Sequence, residues 1–164
     1  MGKVTYLFNN KGEKEMFSVF DIANYFLSKE PMTNKKLQKL CYYTQAWYLA
    51  LNNERLFNSN FEAWIHGPVC PELYHNFKNY GYNEIPQLNI MPENLQHDQY
   101  ILSFLEQIYK LYGSLNGNQL EELSHSEYPW KNARGNIGSW KSCNNIIDNE
   151  DMRYYYYKKY CQED

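Results

Sequence analysis

No stretch of this chain approaches the roughly 20 consecutive apolar residues that a membrane-spanning helix needs. Met1-Gly2-Lys3 is not followed by the apolar core of a signal peptide, and Tyr6 stands where a myristoylation signal carries Ser or Thr. Cysteine is scarce: Cys41, Cys70, Cys143 and Cys161 are the four in 164 residues, with no CxxC spacing among them. That pattern gives no disulfide framework and no paired zinc-ligand motif, and a reduced, cytoplasmic protein is expected. Positive charge is not in excess either, since 16 Lys and Arg face 19 Asp and Glu for a net charge of −3. A chain so balanced has no global basic field with which to attract nucleic acid. There is no Gly-rich phosphate loop, internal repeat or second-domain linker.

Aromatic residues, by contrast, are plentiful at 18%, with 17 Tyr. Tyrosine buries a ring while its hydroxyl still finds water or a partner, so it suits core rims and interfaces alike. Biased base composition in the encoding genome is the first explanation for the excess, because Asn and Lys are abundant too, and interface use is the second. At this length one domain with a full hydrophobic core is expected.

The chain reads as mainly α, a compact helical bundle with a small β element. Residues 1–16 form a lead-in with a turn signal at Asn9-Asn10-Lys11-Gly12, compatible with a hairpin, and residues 17–160 form the domain. A first helix spans about Val19 to Leu27, with Ser18 as its cap and Asp21 at the positive end of its dipole. Thr33 caps a second helix, on which Leu37, Leu40, Cys41, Thr44, Trp47, Tyr48 and Leu51 recur at the spacing of one inward face. Lys36, Lys39, Tyr43 and Gln45 fall largely off that face. Phe61 to Ile65 alternates as a short half-buried strand, Gly67-Pro68 turns the chain, and Pro71 opens a helix that stops at Gly81. Further helices are expected over Asp98 to Tyr112, about Asn118 to Ser126 and Pro129 to Arg134. A last helix, capped by Asp148, carries Met152, Tyr155, Tyr156 and Tyr160.

Chemistry finds little support in these residues. His66, Cys70, His75 and His125 do not form the close ligand pairs of structural zinc, so no metal and no cofactor is expected. Cys70 precedes a helix N-terminus, which favours a thiolate, yet no orienting group or oxyanion site accompanies it. Lys35, Lys36 and Lys39 begin a helix after a turn, as in a DNA-recognition helix, but the helix is long, its stripe aromatic and the chain acidic. Glu62, Glu72, Glu121, Glu122 and Glu127 supply carboxylates that no spacing argument pairs across a cleft. Trp47 belongs to the inward stripe, whereas Trp64 alternates away from Phe61, Ala63 and Ile65 and either covers the strand or meets a partner.

Three blocks carry a family resemblance. The first is Leu37-Gln38-Lys39-Leu40, followed by Tyr42-Tyr43 and Gln45-Ala46. The second is Glu62-Ala63-Trp64, followed by Gly67-Pro68-Val69, Pro71-Glu72 and Tyr74. The third runs from Leu123 to Arg134 and includes His125, Pro129 and Trp130. In this order the blocks resemble the Panacea domain of SocA-like antitoxins, over roughly Phe17 to Tyr157. The resemblance implies a bacterial or phage protein, associated with mobile elements, that works by binding rather than by catalysis. Its partner would be a cognate protein toxin encoded by a neighbouring gene, and neutralisation would proceed by covering the toxin or by delivering it to a protease. The alternatives are a DNA-binding transcriptional regulator and a phage-exclusion factor; membrane partners are not expected. Motif density places the binding patch around Trp64, His66, Gly67, Pro68, Tyr74 and Phe77, with Lys39, Tyr43 and Gln45 adjacent. His125, Pro129, Trp130 and Arg134 are assigned a structural role, with His125 bridging backbone groups and Trp130 locking its turn against the body.

Overall fold

Nineteen residues, Asn34–Asn52, form a helix that runs through the interior and is covered on nearly every side. The computed structural model describes the backbone of residues 7–8 and 14–162 and the side chains from Met16 onward. In chain order the elements begin with β1 (Leu7–Phe8), β2 (Lys14–Glu15), α1 (Val19–Lys29), β3 (Met32–Thr33) and α2 (Asn34–Asn52). They continue with β4 (Glu62–Trp64), β5 (Gly67–Val69), α3 (Pro71–Phe77) and a tight helical turn at Lys78–Tyr80. Then come β6 (Glu84–Ile85), α4 (Gln99–Tyr112), α5 (Gly117–Ser126), α6 (Tyr128–Arg134) and α7 (Asn149–Gln162). The fold is mainly α. Its described strands pair antiparallel in twos, β1 with β2, β3 with β6 and β4 with β5. The Asn9–Gly12 turn signal lies outside the described residues.

Local chemistry sets the helix starts. Ser18 and Asp21 form a capping box on α1, and Thr33 Oγ1 accepts the Lys36 N–H at the start of α2. Asp98 caps α4, Asn116 and Gln119 cap α5 reciprocally, and Asp148 Oδ1 accepts the N–H groups of Glu150 and Asp151. α5 therefore begins one residue earlier than the spacing alone predicts. Gly67-Pro68 is not the turn: the chain reverses at Ile65 and His66, and Gly67 and Pro68 open the returning strand β5.

α1, α4, α5, α7 and the β4–β5 hairpin all pack on α2. This explains the largest departure from the periodicity reading. Lys39, Tyr43 and Gln45, expected off the buried face, are buried at 1%, 0% and 1% exposure because α5, α7 and the loop after α2 cover that second face. Conversely Leu51, expected inward, is 45% exposed, and Tyr160 on α7 is 47% exposed. Both lie in the last turns of their helices, beyond the neighbours that cover the earlier ones.

The buried tyrosines need hydroxyl partners, because an unpaired polar group in a core costs roughly 1–3 kcal/mol. Glu127, in the single-residue break between α5 and α6, supplies two of them. Its Oε1 accepts from Tyr43 of α2 at 2.6 Å and from Tyr156 of α7 at 2.8 Å, while Lys159 Nζ lies 3.6 Å from Oε2. Tyr43 also stacks on Tyr112 with ring centroids 4.1 Å apart, and Trp47 Nε1 donates to the Tyr112 hydroxyl at 2.7 Å. Burial pushes the Glu127 carboxyl above the usual carboxylate range, and burial together with Glu127 drives Tyr43 and Tyr156 upward. One carboxylate thus ties α2 and α7 to the α5–α6 junction.

Glu127→Ala strands two buried hydroxyls and should lower the unfolding free energy in urea by roughly 2–4 kcal/mol, whereas Glu127→Gln keeps an acceptor and should lose about 1 kcal/mol. An alanine variant as stable as the wild type would show that other contacts hold α7.

Candidate functional site

The β4–β5 hairpin lies against the first half of α2, and the join leaves a groove of about 330 Å³. Its floor is the buried set Gln38, Lys39 and Val69; Trp64 and Tyr74 form half-buried walls; Lys35, His66, Lys78 and Tyr82 stand at the rim. A volume of this order admits a side chain or a short segment rather than a large cofactor. A wider hollow of about 550 Å³ runs along α7, but apart from Tyr128 its lining is α7 alone, so it is one helix face rather than a built site.

Lys39 leaves α2 towards β5 and donates from Nζ to the Pro68 carbonyl at 3.1 Å. Gly67 makes this possible. Its φ of +100° is one that side-chain-bearing residues rarely adopt, and a Cβ there would meet Lys39 Cε and come within 2.9 Å of Ser124 Oγ. Removal from water lowers the Lys39 amine to about 7, with Glu121 pulling it back up and Lys35 pushing it further down. Gln38 beside it accepts the Cys70 N–H at 2.9 Å and donates to Asn34 at 3.2 Å, which fixes the approach of α3.

The walls are equally held. Trp64 meets Tyr74 edge to face at 5.0 Å, and its indole N–H donates to Glu62 at 2.6 Å. Trp130 Nε1 donates to the Trp64 carbonyl at 2.9 Å and Arg134 to the Ala63 carbonyl at 2.8 Å, so α6 grips β4 from behind. Arg134 also donates to the carbonyls of Gly138 and Lys141. His125 stacks on Trp130 at 4.0 Å, and burial holds it below the usual histidine range, opposed by Glu121 and by the Ile65 carbonyl. Its Nε2 is buried without a hydrogen-bond partner, so the ring does not bridge two backbone groups. At the rim, Glu121 accepts from Lys35 at 2.8 Å and pairs with His66 Nδ1 at 2.6 Å. Burial raises the Glu121 carboxyl, but these two neighbours outweigh it and hold it below the usual range.

Of the residues expected in a binding patch, Lys39, Trp64, His66 and Tyr74 line the groove, and Gly67 and Pro68 shape it from behind. Phe77 packs against the core and the Tyr80 ring. Tyr43 and Gln45 reach no surface: Tyr43 binds Glu127, and Gln45 holds the loop at Leu56 and Phe57. Gln38, Val69, Lys78, Tyr82 and Glu121 were not placed in the patch, although Gln38 and Val69 stand in the motif blocks and Glu121 among the carboxylates.

The chemical alternatives meet obstacles in this geometry. The Cys70 thiol is pushed up by burial despite the Leu73 and Glu72 N–H groups beside it, so it is not a poised thiolate. Among the described residues no three His, Cys, Asp or Glu side chains gather as metal ligands. Lys36 pairs with Glu30 at 2.7 Å and donates to the Gly113 carbonyl at 2.6 Å, leaving the start of α2 without the free lysine row a DNA-reading helix needs.

A family model described as "Antitoxin SocA-like, Panacea domain" matches residues 37–131, which reach from α2 to α6 and include the groove floor, Trp64 and Trp130. The curated protein "Antitoxin SocA" of Caulobacter vibrioides (strain NA1000 / CB15N) is 32% identical over 124 residues, covering 66% of this chain and 66% of that protein. The chain thus spans about two thirds of the length of the curated relative it matches. No solved structure matches.

Lys39 binds its proton more weakly in the folded chain, at about 7, than in the unfolded chain, where 10.5 is the ordinary value. It therefore costs stability below pH 7, and that cost shrinks as pH rises towards about 9.5, before the tyrosines titrate. Lys39→Met should exceed the wild type in unfolding free energy at about pH 6 by up to several kcal/mol, since each tenfold change in protonation is worth about 1.4 kcal/mol, and the gap should narrow by about pH 9.5. A pH-independent difference would remove burial as the cause. Gly67→Ala should lose roughly 1–3 kcal/mol through backbone strain and the clash with Lys39; a neutral result would mean that the hairpin shifts freely.

Proposed function

Because the chain belongs to the family of SocA-like antitoxins with a Panacea domain, we propose that it is the antitoxin of a toxin–antitoxin pair. It neutralises a protein toxin by holding it directly, without catalysis, and the groove between α2 and the β4–β5 hairpin is the centre of the contact. The observation that carries this reading is the coincidence of the matched segment with the groove: residues 37–131 contain Lys39, Trp64, His66 and Tyr74 together with Trp130 of α6, which braces Trp64 from behind. The curated relative bears the name of an antitoxin, which supports the same role here. Half-buried Trp and Tyr walls under a polar rim have the composition of interface hot spots, where a few aromatic anchors supply most of the binding energy.

The test is co-expression with each neighbouring reading frame in a heterologous bacterium, scored as growth. One neighbour should arrest growth alone and be relieved by this chain, and Trp64→Ala or Tyr74→Asp should abolish relief while leaving the melting curve near that of the wild type. Toxin abundance during relief separates the two routes: an unchanged level means that the toxin is covered, and a falling level means delivery to a protease. If no neighbour is toxic, the antitoxin reading fails; if both variants still relieve arrest, the contact lies elsewhere.

A further inference from the structure

The charged side chains that line the groove are of one sign. Lys35, Lys39 and Lys78 line it beside His66 and no carboxylate does, in a chain whose net charge is −3. Lys35 and His66 already share Glu121, which sits behind the rim at 18% side-chain exposure. Lys39 has no such counter-charge in contact. Its Nζ makes one hydrogen bond, to the neutral Pro68 carbonyl, although an ammonium has three donors. In its protonated form an amine buried this way lacks most of its hydration, and a carboxylate brought alongside favours that form and supplies a charge-assisted hydrogen bond of roughly twice the ordinary strength. Beside the amine are apolar surfaces, Val69 on the floor and Trp64 and Tyr74 on the walls, and the Tyr82 ring at the rim is 95% exposed.

We propose that the groove is a recognition site for an acidic side chain, Asp or Glu, on a segment of a partner protein, with the carboxylate meeting Lys39 and a neighbouring apolar or aromatic residue lying against Trp64 and Tyr82. Lys78 on the rim adds attraction at longer range. Charge complementarity selects the occupant: basic segments are repelled, and neutral ones leave the amine unpaired. The size of the cavity favours one side chain over a polyanionic backbone. The proposal rests on the antitoxin reading only in naming the toxin as the natural source of the segment.

The experiment selects displayed heptapeptides on the full chain, resynthesises the enriched ones with a fluorophore and measures their affinities by anisotropy. Enriched peptides should carry Asp or Glu next to an aromatic or aliphatic residue. Lys39→Met should weaken them at least tenfold, while Lys110→Met, which removes the same charge from the exposed face of α4, should leave them unchanged. Lys78→Glu on the exposed rim has no burial to lose and should weaken them several-fold, so it reads the same field should the Lys39 variant not fold. Peptides without acidic residues, no enrichment, or acidic peptides that bind a folded Lys39→Met equally well would each overturn the proposal. So would a labelled oligothymidine that binds more tightly than the peptides. Growth relief without acidic-peptide selection refutes the groove chemistry alone, and acidic-peptide selection without a neutralised toxin refutes the antitoxin reading alone.

Discussion

The burial of α2 on nearly every side is the constraint on which the rest of the molecule depends. Along its buried middle such a helix has no solvent face on which to place its polar side chains, so each must find a partner inside. Gln38 receives the Cys70 N–H, Lys39 reaches the Pro68 carbonyl, and Tyr43 reaches Glu127. Thr44 turns back to the Leu40 carbonyl, and Gln45 both accepts from Leu56 and donates to Phe57. Apart from Thr44, each partner belongs to a different surrounding segment. These bonds therefore specify where β5, α3, the α5–α6 junction and the loop after α2 must lie, while the Leu, Tyr and Trp side chains of α2 supply the apolar contact that favours packing at all.

The second organising device is the grip of α6 on the hairpin. Trp130 and Arg134 hold the carbonyls of Trp64 and Ala63, and the segment after α6 pairs its Asn145 carbonyl and Ile147 N–H with the flank of β4. Together with α2, two regions of the chain far apart in sequence thus converge on one short hairpin. The aromatic wall of the groove is fixed from behind by residues that never line it, and the floor is fixed by α2. A surface built this way is preorganised, so a partner that binds there orders few groups on contact.

Helix positions and most caps were legible because capping and periodicity are local. Ser18, Thr33 and Asp148 each act where their spacing predicts. The misread positions on α2 share one cause. Periodicity identifies one inward face but does not count the neighbours around a helix, so Lys39, Tyr43 and Gln45 were placed towards solvent and Leu51 towards the core. Gly67-Pro68 has the composition of a turn, yet the positive φ of Gly67 serves the close passage of Lys39, and two ordinary residues, Ile65 and His66, make the reversal. Within the groove, Trp64, His66 and Tyr74 were legible as an aromatic and polar cluster near one turn. Lys78 and Tyr82 were not, nor was Glu121 behind the rim, because only packing brings them there.

By itself, then, the sequence determined the helices, their starts, the mainly α class and, through three ordered blocks of motif, the family. These follow from hydrogen bonds and apolar spacing within a few residues, or from a pattern of residue types that no fold is needed to read. The tertiary structure alone decided that Glu127 would lock two tyrosines, that His125 would be left stacked with one unpartnered nitrogen, and that Lys39 would be the buried amine of a groove. Desolvation is the physical reason. The energy and protonation of a polar group depend on how completely distant segments exclude water from it, and no local spacing encodes that.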